Sequence, residues 1–164
     1  MTEPSFLPSD NPRVPRAEFP FRHCVDVQTR FNDVDMLGHV NNNVYLSFMD
    51  LGKLDYFSAI SEGRMTIRDI RAVVVNINCD FFEPSYFNEP LQVWTAITHI
   101  GHRSFTIEQR IANPGTGHTK CIGRTTLAGF DPATAAGAPL DENLVRAAVT
   151  FEQRPNLHDD KLGK

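Results

Sequence analysis

The chain has 164 residues, of which 41% are hydrophobic and 22% are charged. This composition is ordinary for a globular protein, and the length favours one domain that buries roughly 68–70% of its unfolded surface without disulfides. The net charge of -4 gives no global reason to expect nucleic acid or an anionic membrane as a partner, and no apolar run approaches the ~20 residues of a membrane span.

The cysteines are few and scattered. Cys24, Cys79 and Cys121 form no C-x-x-C pair, which indicates reduced thiols and a cytoplasmic protein. His118 and Cys121 have a ligand-like spacing but lack two further ligands, so no metal site is predicted. No basic segment followed by an apolar core opens the chain, so no signal peptide is predicted either.

Residues 1–20 form a proline-rich arm with five prolines. Proline removes a backbone donor and fixes φ, so the arm is predicted to be extended, either disordered or lying along a neighbouring surface. The folded domain is expected over residues 21–151, and residues 152–164 are expected to form a polar tail.

The domain is predicted to begin with a strand and a long helix. Apolar and polar residues alternate in part between Phe21 and Phe31, which is typical of a strand. From Asn43 to Ile60 the spacing changes to that of an amphipathic helix. Its predicted apolar stripe consists of Tyr45, Phe48, Met49, Gly52 and Tyr56. Further apolar residues lie off this stripe, namely Leu46, Leu51, Leu54 and Phe57, so we expect the helix to be buried on more than one side.

Four strand-like segments and a short helix follow. The segments are 71–82, 91–100, 104–112 and 118–130. Their short connections predict antiparallel neighbours, and we expect the four strands to form a meander. Pro139 and Asp141 open a short helix near the C-terminus. One antiparallel sheet against one apolar helix is an α+β arrangement.

The stretch from Arg30 to Tyr45 concentrates the polar residues that can do chemistry. It places two carboxylates, a histidine and three consecutive asparagines directly before the predicted helix. A helix N-terminus carries unpaired N–H groups and a partial positive charge. A carboxylate beside such donors suits attack on a carbonyl whose developing oxyanion needs stabilisation.

This stretch resembles the hotdog-fold acyl-CoA thioesterases of the 4-hydroxybenzoyl-CoA thioesterase type. The family pattern is roughly aromatic-x-D-x-D-x-x-G-x-V, followed by a tyrosine in the helix. Here it reads Phe31-Asn32-Asp33-Val34-Asp35-Met36-Leu37-Gly38-His39-Val40, with Tyr45 following. The resemblance covers about residues 21–131 and implies a curved antiparallel sheet wrapped around one long central helix.

The resemblance also implies roles for single residues. The catalytic carboxylate falls on Asp35, which would be a general base or a nucleophile. The helix-end N–H donor to the thioester oxygen falls near Asn42, so the amides of Asn42 and Asn43 would form the oxyanion site. In the related acyl-ACP thioesterases an Asp-x-Asn-x-His set is catalytic. Here Leu37 replaces the asparagine of that set, which leaves Asp35 and His39.

A second match, Ile100-Gly101-His102-Arg103-Ser104-Phe105, is similar to the strand-turn-strand signature that lies beside the CoA phosphates in this family. The resemblance therefore implies that His102, Arg103 and Ser104 contact CoA, which enters as part of the substrate and not as a cofactor. It also implies a homodimer or a dimer of dimers, with active sites at the subunit interface.

Each of these residues also has a structural interpretation. Asp35 can satisfy backbone donors in a loop, and Asp33 is expected mainly to hold the turn. His39 can be a buried structural histidine, and Asn42 a turn or cap residue. The turn at His102 and Arg103 can be a solvated hairpin turn. Tyr45, Phe48 and Met49 can line an acyl pocket, but at helical spacing such residues more often form plain core.

The sequence thus favours an acyl-CoA thioesterase that releases a free acid and CoA. The alternative is a non-hydrolytic hotdog module that binds an acyl ligand or serves in an assembly. A serine hydrolase is disfavoured because no G-x-S-x-G elbow surrounds Ser104. Hotdog dehydratases are disfavoured because their catalytic histidine is placed differently from His39.

Overall fold

The structure is a computed structural model that describes residues 2–154 and 156–158, without the side chain of Ile67. The elements are β1 (His23–Val27), α1 (Asn42–Ile60), β2 (Ala72–Phe81), β3 (Leu91–Ile100), β4 (Ser104–Ala112), β5 (Thr119–Asp131), β6 (Ala136–Gly137) and α2 (Glu142–Glu152). The long helix and the four strands after it begin and end within one residue of the predicted bounds. β1 is shorter than predicted. No helix in the described ranges is long and apolar enough to cross a membrane.

The strands form one antiparallel sheet in the order β1-β3-β4-β5-β2, and β6 pairs with β5. The predicted four-strand meander is therefore wrong. β3, β4 and β5 do form a meander, but β2 pairs with β5 and β3 pairs with β1. The connection between β2 and β3, residues 82–90, is longer than a hairpin turn and contains two prolines, Pro84 and Pro90. It crosses from one edge of the sheet to the other side of the meander.

α1 packs on the sheet through its predicted apolar stripe, whose five members are all buried. Two glycines allow the close approach. A Cβ on Gly52 would lie 2.6 Å from Cγ1 of Val93, and a Cβ on Gly123 would collide with the side chain of Met49. Gln109 bridges the two layers, because its Nε2 donates to the carbonyl oxygen of Met49 at 2.8 Å.

Two of the apolar residues off the stripe are exposed in the single chain. Leu51 and Leu54 are 53% and 47% exposed, whereas Phe57 is buried. The expected burial of the helix on more than one side is thus only partly present within one chain.

The C-terminal segment, residues 152–154 and 157, forms hydrogen bonds with the last part of β3, which extends beyond the first residue of β1. β1 begins at His23, opposite Thr95, so the next part of β3 has no strand beside it. There Oε1 of Glu152 accepts a hydrogen bond from the backbone N–H of Ile97 at 3.0 Å, and Arg154 donates to the Ile97 carbonyl oxygen. Side chains of the segment thus replace the hydrogen bonds of a missing strand.

Glu152 is completely buried and also accepts a hydrogen bond from the hydroxyl of Tyr56 at 2.6 Å. Burial raises the pKa of the Glu152 carboxyl above its ordinary value, and Arg154 partly opposes this rise. The carboxyl group therefore joins α1, α2 and β3 at one point.

The N-terminal arm reaches the face of the sheet that points away from α1 at Val14 and Pro15. Arg110 alternates with the helix-facing Gln109, so its side chain lies on that outer face. It is 2% exposed there, and its Nη1 donates to the carbonyl oxygen of Pro15 at 2.7 Å. Val14 is buried beside it, and the backbones of Ser5 and Phe21 exchange two hydrogen bonds. The arm thus lies along a surface of its own chain.

Replacement of Glu152 by alanine is expected to lower the free energy of unfolding by about 3 kcal/mol. The substitution leaves the Ile97 N–H and the Tyr56 hydroxyl buried without their partner and leaves Arg154 without its counter-charge. Urea denaturation followed by circular dichroism measures this loss. Arg146→Ala, at an exposed position of the same helix, is the control and is expected to change the unfolding free energy by less than about 0.5 kcal/mol. Equal effects of the two variants would contradict the assigned role of Glu152.

Candidate functional site

The segment that carries Asp35 is a small hairpin that leads into α1. Val34 and Val40 pair as an antiparallel bridge. The N–H of Asp35 donates to the His39 carbonyl oxygen at 2.8 Å, and Gly38 adopts a φ of +80°, which favours glycine. The motif therefore fixes its own backbone and places Asp35 close in sequence and space to the helix start.

The carboxylate of Asp35 is oriented by the backbone of this hairpin. Its Oδ1 accepts hydrogen bonds from the N–H groups of Leu37 at 2.8 Å and His39 at 3.2 Å. Its Oδ2 has no partner within residues 2–154 and 156–158, and the residue is exposed. One oxygen thus has the structural role of a loop aspartate, while the other remains open to a water molecule or a substrate.

Asp33 has the structural role that its position suggests. It is 4% exposed, and its Oδ2 accepts hydrogen bonds from the backbone N–H of Arg30 at 2.7 Å and from the Arg30 side chain. Its backbone carbonyl oxygen accepts a hydrogen bond from the N–H of Asn41 at 2.8 Å. Asp33 therefore holds the loop against the helix start and faces away from solvent.

With respect to the described residues, the first turn of α1 presents a single open backbone donor. Asn41 is the N-cap, and its Oδ1 accepts a hydrogen bond from the N–H of Asn43 at 3.0 Å. The Val44 N–H donates to the Asn41 carbonyl oxygen. The Asn43 N–H, which was expected to share the oxyanion site with Asn42, is thus already used by the cap. In the described part of the chain, the Asn42 N–H has no acceptor.

His39 packs against the connection between β2 and β3. Its ring is half-buried and meets the ring of Tyr86 edge-on at a centroid distance of 5.4 Å. The Val40 N–H donates to the Ser85 carbonyl oxygen, and the rings of Phe31 and Phe87 pack edge-to-face. Sequence reasoning missed this second wall of the site. The only available signal was the proline-bounded stretch 84–90 between two strong strand patterns.

The surroundings of Asp35 are open and apolar in the single chain. Large hydrophobic side chains with more than two fifths of their surface exposed lie along the hairpin and its wall. They are Phe31, Met36, Leu37, Tyr86 and Phe87. Solvent-exposed apolar groups in this density are typical of a surface that another molecule covers.

The predicted CoA-contacting residues form the turn between β3 and β4. His102 and Arg103 are exposed, and Ser104 is the first residue of β4. Nη2 of Arg103 donates to the Gly137 carbonyl oxygen at 2.6 Å, so this side chain also holds the β6 segment. The backbone of His102 accepts a hydrogen bond from the Leu140 N–H at 3.1 Å.

The two predicted parts of the site lie at opposite ends of the sheet. Val27 pairs with Leu91, so the loop that carries Asp35 leaves the sheet at the start of β3. The turn with His102 follows the end of β3. A strand of this length spans about 30 Å, so one chain cannot bring the two parts together.

Tyr45, Phe48 and Met49 are core residues in the single chain, each at most 2% exposed. The Tyr45 hydroxyl donates to Oγ of Ser85 at 2.9 Å, and burial raises the pKa of this phenol above its ordinary value. No cluster of three histidine, cysteine or acidic side chains that could hold a metal ion occurs among the residues that the structure covers.

Comparison with known sequences identifies the family. The family model of the thioesterase-like superfamily matches residues 29–148. The long-chain acyl-CoA thioesterase FadM of Escherichia coli (strain K12) is 26% identical over 119 residues, which cover 72% of this chain and 90% of FadM. The uncharacterized protein YsmA of Bacillus subtilis (strain 168) is 27% identical over 84 residues, which cover 49% of this chain and about half of YsmA (54%).

Comparison with solved structures confirms the fold. A thioesterase from Thermus thermophilus, complexed with coenzyme A and zinc, is 29% identical with a TM-score of 0.69, and the match covers 80% of this chain and 95% of that one. A 1,4-dihydroxy-2-naphthoyl-CoA thioesterase from Synechocystis gives the same TM-score at 18% identity, covering 80% of this chain and 98% of its own. The α+β hotdog architecture and the match over residues 29–148 lead to one conclusion: this chain belongs to the thioesterase-like superfamily and is a thioester hydrolase.

Proposed function

We propose that the protein hydrolyses acyl-CoA thioesters to a free acid and CoA, with Asp35 as the general base or the nucleophile. The observation that carries this proposal is the carboxylate of Asp35, fixed through Oδ1 by two backbone donors and open at Oδ2. It stands beside a helix start whose Asn42 N–H is unpaired among the described residues. The similarity to FadM, a long-chain acyl-CoA thioesterase, supports acyl-CoA as the substrate class.

Two routes use the same groups. As a base, Asp35 takes a proton from water while the water oxygen attacks the carbonyl carbon; the carbon–sulfur bond then breaks, and the CoA thiolate takes up a proton. As a nucleophile, Oδ2 attacks the carbonyl carbon and displaces the thiolate, and water then hydrolyses the mixed anhydride. In both routes the Asn42 N–H stabilises the developing oxyanion, and His39 is placed to orient the water or the carbonyl.

We further propose that the active protein is a homodimer joined along β2. This strand is an edge of the sheet and is 10 residues long. Its exposed apolar residues are Val73, Val74, Val75, Ile77 and Phe81. A long apolar edge with unpaired backbone groups is a template for another strand, and a second copy offers the same edge under two-fold symmetry.

Antiparallel pairing of two β2 strands would complete the site. It reverses the second sheet, so the Asp35 end of one chain adjoins the end of the partner that carries the β3–β4 turn. The partner's His102, Arg103 and Ser104 then face the CoA phosphates of a thioester bound at Asp35. Arg103 uses one guanidinium nitrogen on Gly137 and keeps other donors for phosphate. A dimer of dimers would retain the same paired sites.

The rival function is a hotdog module that binds an acyl ligand without hydrolysis. Two observations favour it. Oδ1 of Asp35 already accepts hydrogen bonds from the backbone of its own loop, and Leu37 stands where the acyl-ACP thioesterases have a catalytic asparagine side chain. A panel of short, long and aromatic acyl-CoAs separates the two functions. Binding of the thioesters without thiol release by the wild-type protein would establish the rival.

Asp35→Asn is expected to lower kcat for thiol release by about 10²–10⁴-fold. Asparagine keeps the hydrogen bonds that Oδ1 accepts from the loop, but its side-chain amide can neither take a proton from water nor attack the carbonyl carbon. Thiol release with the best acyl-CoA of the panel measures the loss. The matched control is Asp33→Asn, which alters the buried carboxylate of the same loop and is expected to act mainly on the unfolding free energy. A folded Asp35→Asn protein with wild-type hydrolysis would refute the catalytic role.

A shared site also predicts complementation between two inactive variants. Asp35→Asn removes the reacting group, and His102→Glu places a negative charge where the CoA phosphates are expected. Each homodimer is expected to hydrolyse acyl-CoA poorly. A mixed dimer contains one site in which both parts are wild-type, so mixing the unfolded chains and refolding them together should restore thiol release. Isolated mixed dimers without activity would contradict the shared site.

A further inference from the structure

The free edge of β2 offers only certain backbone groups to a second strand. The N–H of Phe82 donates to the Lys120 carbonyl oxygen of β5 at 2.9 Å. In a trans peptide the preceding carbonyl points the opposite way, so the Phe81 carbonyl oxygen faces the free edge. The alternation of an antiparallel ladder gives Cys79 and Ile77 the same outward direction. Before Ile77 the register is interrupted by an irregularity between Val74 and Asn76.

The last of these outward groups is already occupied. Nη2 of Arg13 donates to the Phe81 carbonyl oxygen at 3.3 Å, and its guanidinium lies 5.9 Å from the ring centroid of Phe82. The next two residues of the arm are held on the sheet, because Val14 is buried and the Pro15 carbonyl oxygen accepts from Arg110. Cys79 is therefore the last residue of β2 whose outward backbone groups are not contacted by the arm.

Hydrophobic patterning alone does not choose how two β2 strands align. A one-residue slip between paired strands exchanges the two faces, whereas a two-residue slip keeps every side chain on its own face. When a two-fold axis passes through residue k of β2, each residue i lies opposite residue 2k − i of the second chain. Moving the axis from Ile77 to Asn78, or from Asn78 to Cys79, therefore shifts the pairing by two residues. An axis at Cys79 uses the outward groups of Ile77, Cys79 and Phe81, so it requires the Phe81 carbonyl.

We propose that Arg13, by occupying the Phe81 carbonyl oxygen, excludes the β2–β2 register with its axis at Cys79 and so restricts the alignment of the two subunits to axes at Ile77 or Asn78. This inference rests on the homodimer proposed above. Each two-residue slip moves one chain by about 7 Å along the other. The slip displaces the partner's β3–β4 turn from Asp35 by the same distance, whereas a 1 Å misplacement in a catalytic site can already cost about 10²-fold in rate.

Cysteine cross-linking reads the register directly, because a residue on the axis lies opposite its own copy within disulfide range. Three chains carry a single cysteine each, at position 77, 78 or 79, with the other native cysteines replaced by alanine. With Arg13 present, mild oxidation is expected to link the chains through position 77 or 78 and not through Cys79. With Arg13→Ala, Cys79 is expected to gain the cross-link and thiol release to fall. Arg16→Ala, at an exposed arm position, is the matched control and should leave both unchanged.

The outcomes separate this inference from the proposed dimer. Sedimentation of the wild-type chain as a monomer would overturn the dimer itself. A dimer in which none of the three positions cross-links would place the two-fold axis outside residues 77–79 and overturn the inference about Arg13. A dimer that cross-links through the same position with and without Arg13 would overturn the role of Arg13 and leave the dimer standing.

Discussion

The packing of α1 on the sheet is the contact on which the remaining structure depends. An apolar stripe of the helix is buried against β3, β4 and β5, and the approach is close because Gly52 and Gly123 carry no side chain. Burial of large side chains supplies most of the stabilisation of such a core. The same contact fixes the position of the helix start. A carboxylate loop that ends on the N-cap Asn41 is thereby held at one end of the sheet.

The two sides of the sheet differ in how their outer backbone groups are bonded, and this difference bears on function. On the β1 side, the hydrogen bonds that a strand would make to the end of β3 come from Glu152, Arg154 and Leu157. On the other side, β2 keeps an open apolar edge that only Arg13 touches at its end, as far as the described residues go. The end of β3 that β1 does not reach is thus bonded within its own chain, whereas the open apolar edge of β2 can still pair with another strand.

The candidate site has a local half and a remote half. The local half is encoded within a few residues: the hairpin orients Asp35, and the helix start supplies the Asn42 N–H. The remote half, with His102 and Arg103, lies at the far end of the sheet. The proposed pairing of two chains along β2 would join them. The exposed apolar residues around Asp35 and the exposed Leu51 and Leu54 on α1 are consistent with surfaces that a second chain covers.

Much of this could be predicted from the sequence, because short-range patterns depend on local geometry. The period of the apolar residues determined α1 and its buried face, and the motif from Phe31 to Val40 determined the family and the candidate Asp35. The order of the strands was not predictable in this way: β2 and β3 are neighbours in sequence, but the backbone hydrogen bonds of β2 go to β5. The same holds for the use of the Asn43 N–H by the cap and for the ion pair of Glu152 with Arg154. The sequence by itself therefore determined the helix, the strands, the family and the candidate carboxylate, since each is a property of residues close together in the chain. Only the tertiary structure decided the strand order, the closed and open edges of the sheet, and the separation of Asp35 from the β3–β4 turn. These depend on which distant segments share hydrogen bonds and buried surface, and nothing in the local pattern specifies that choice.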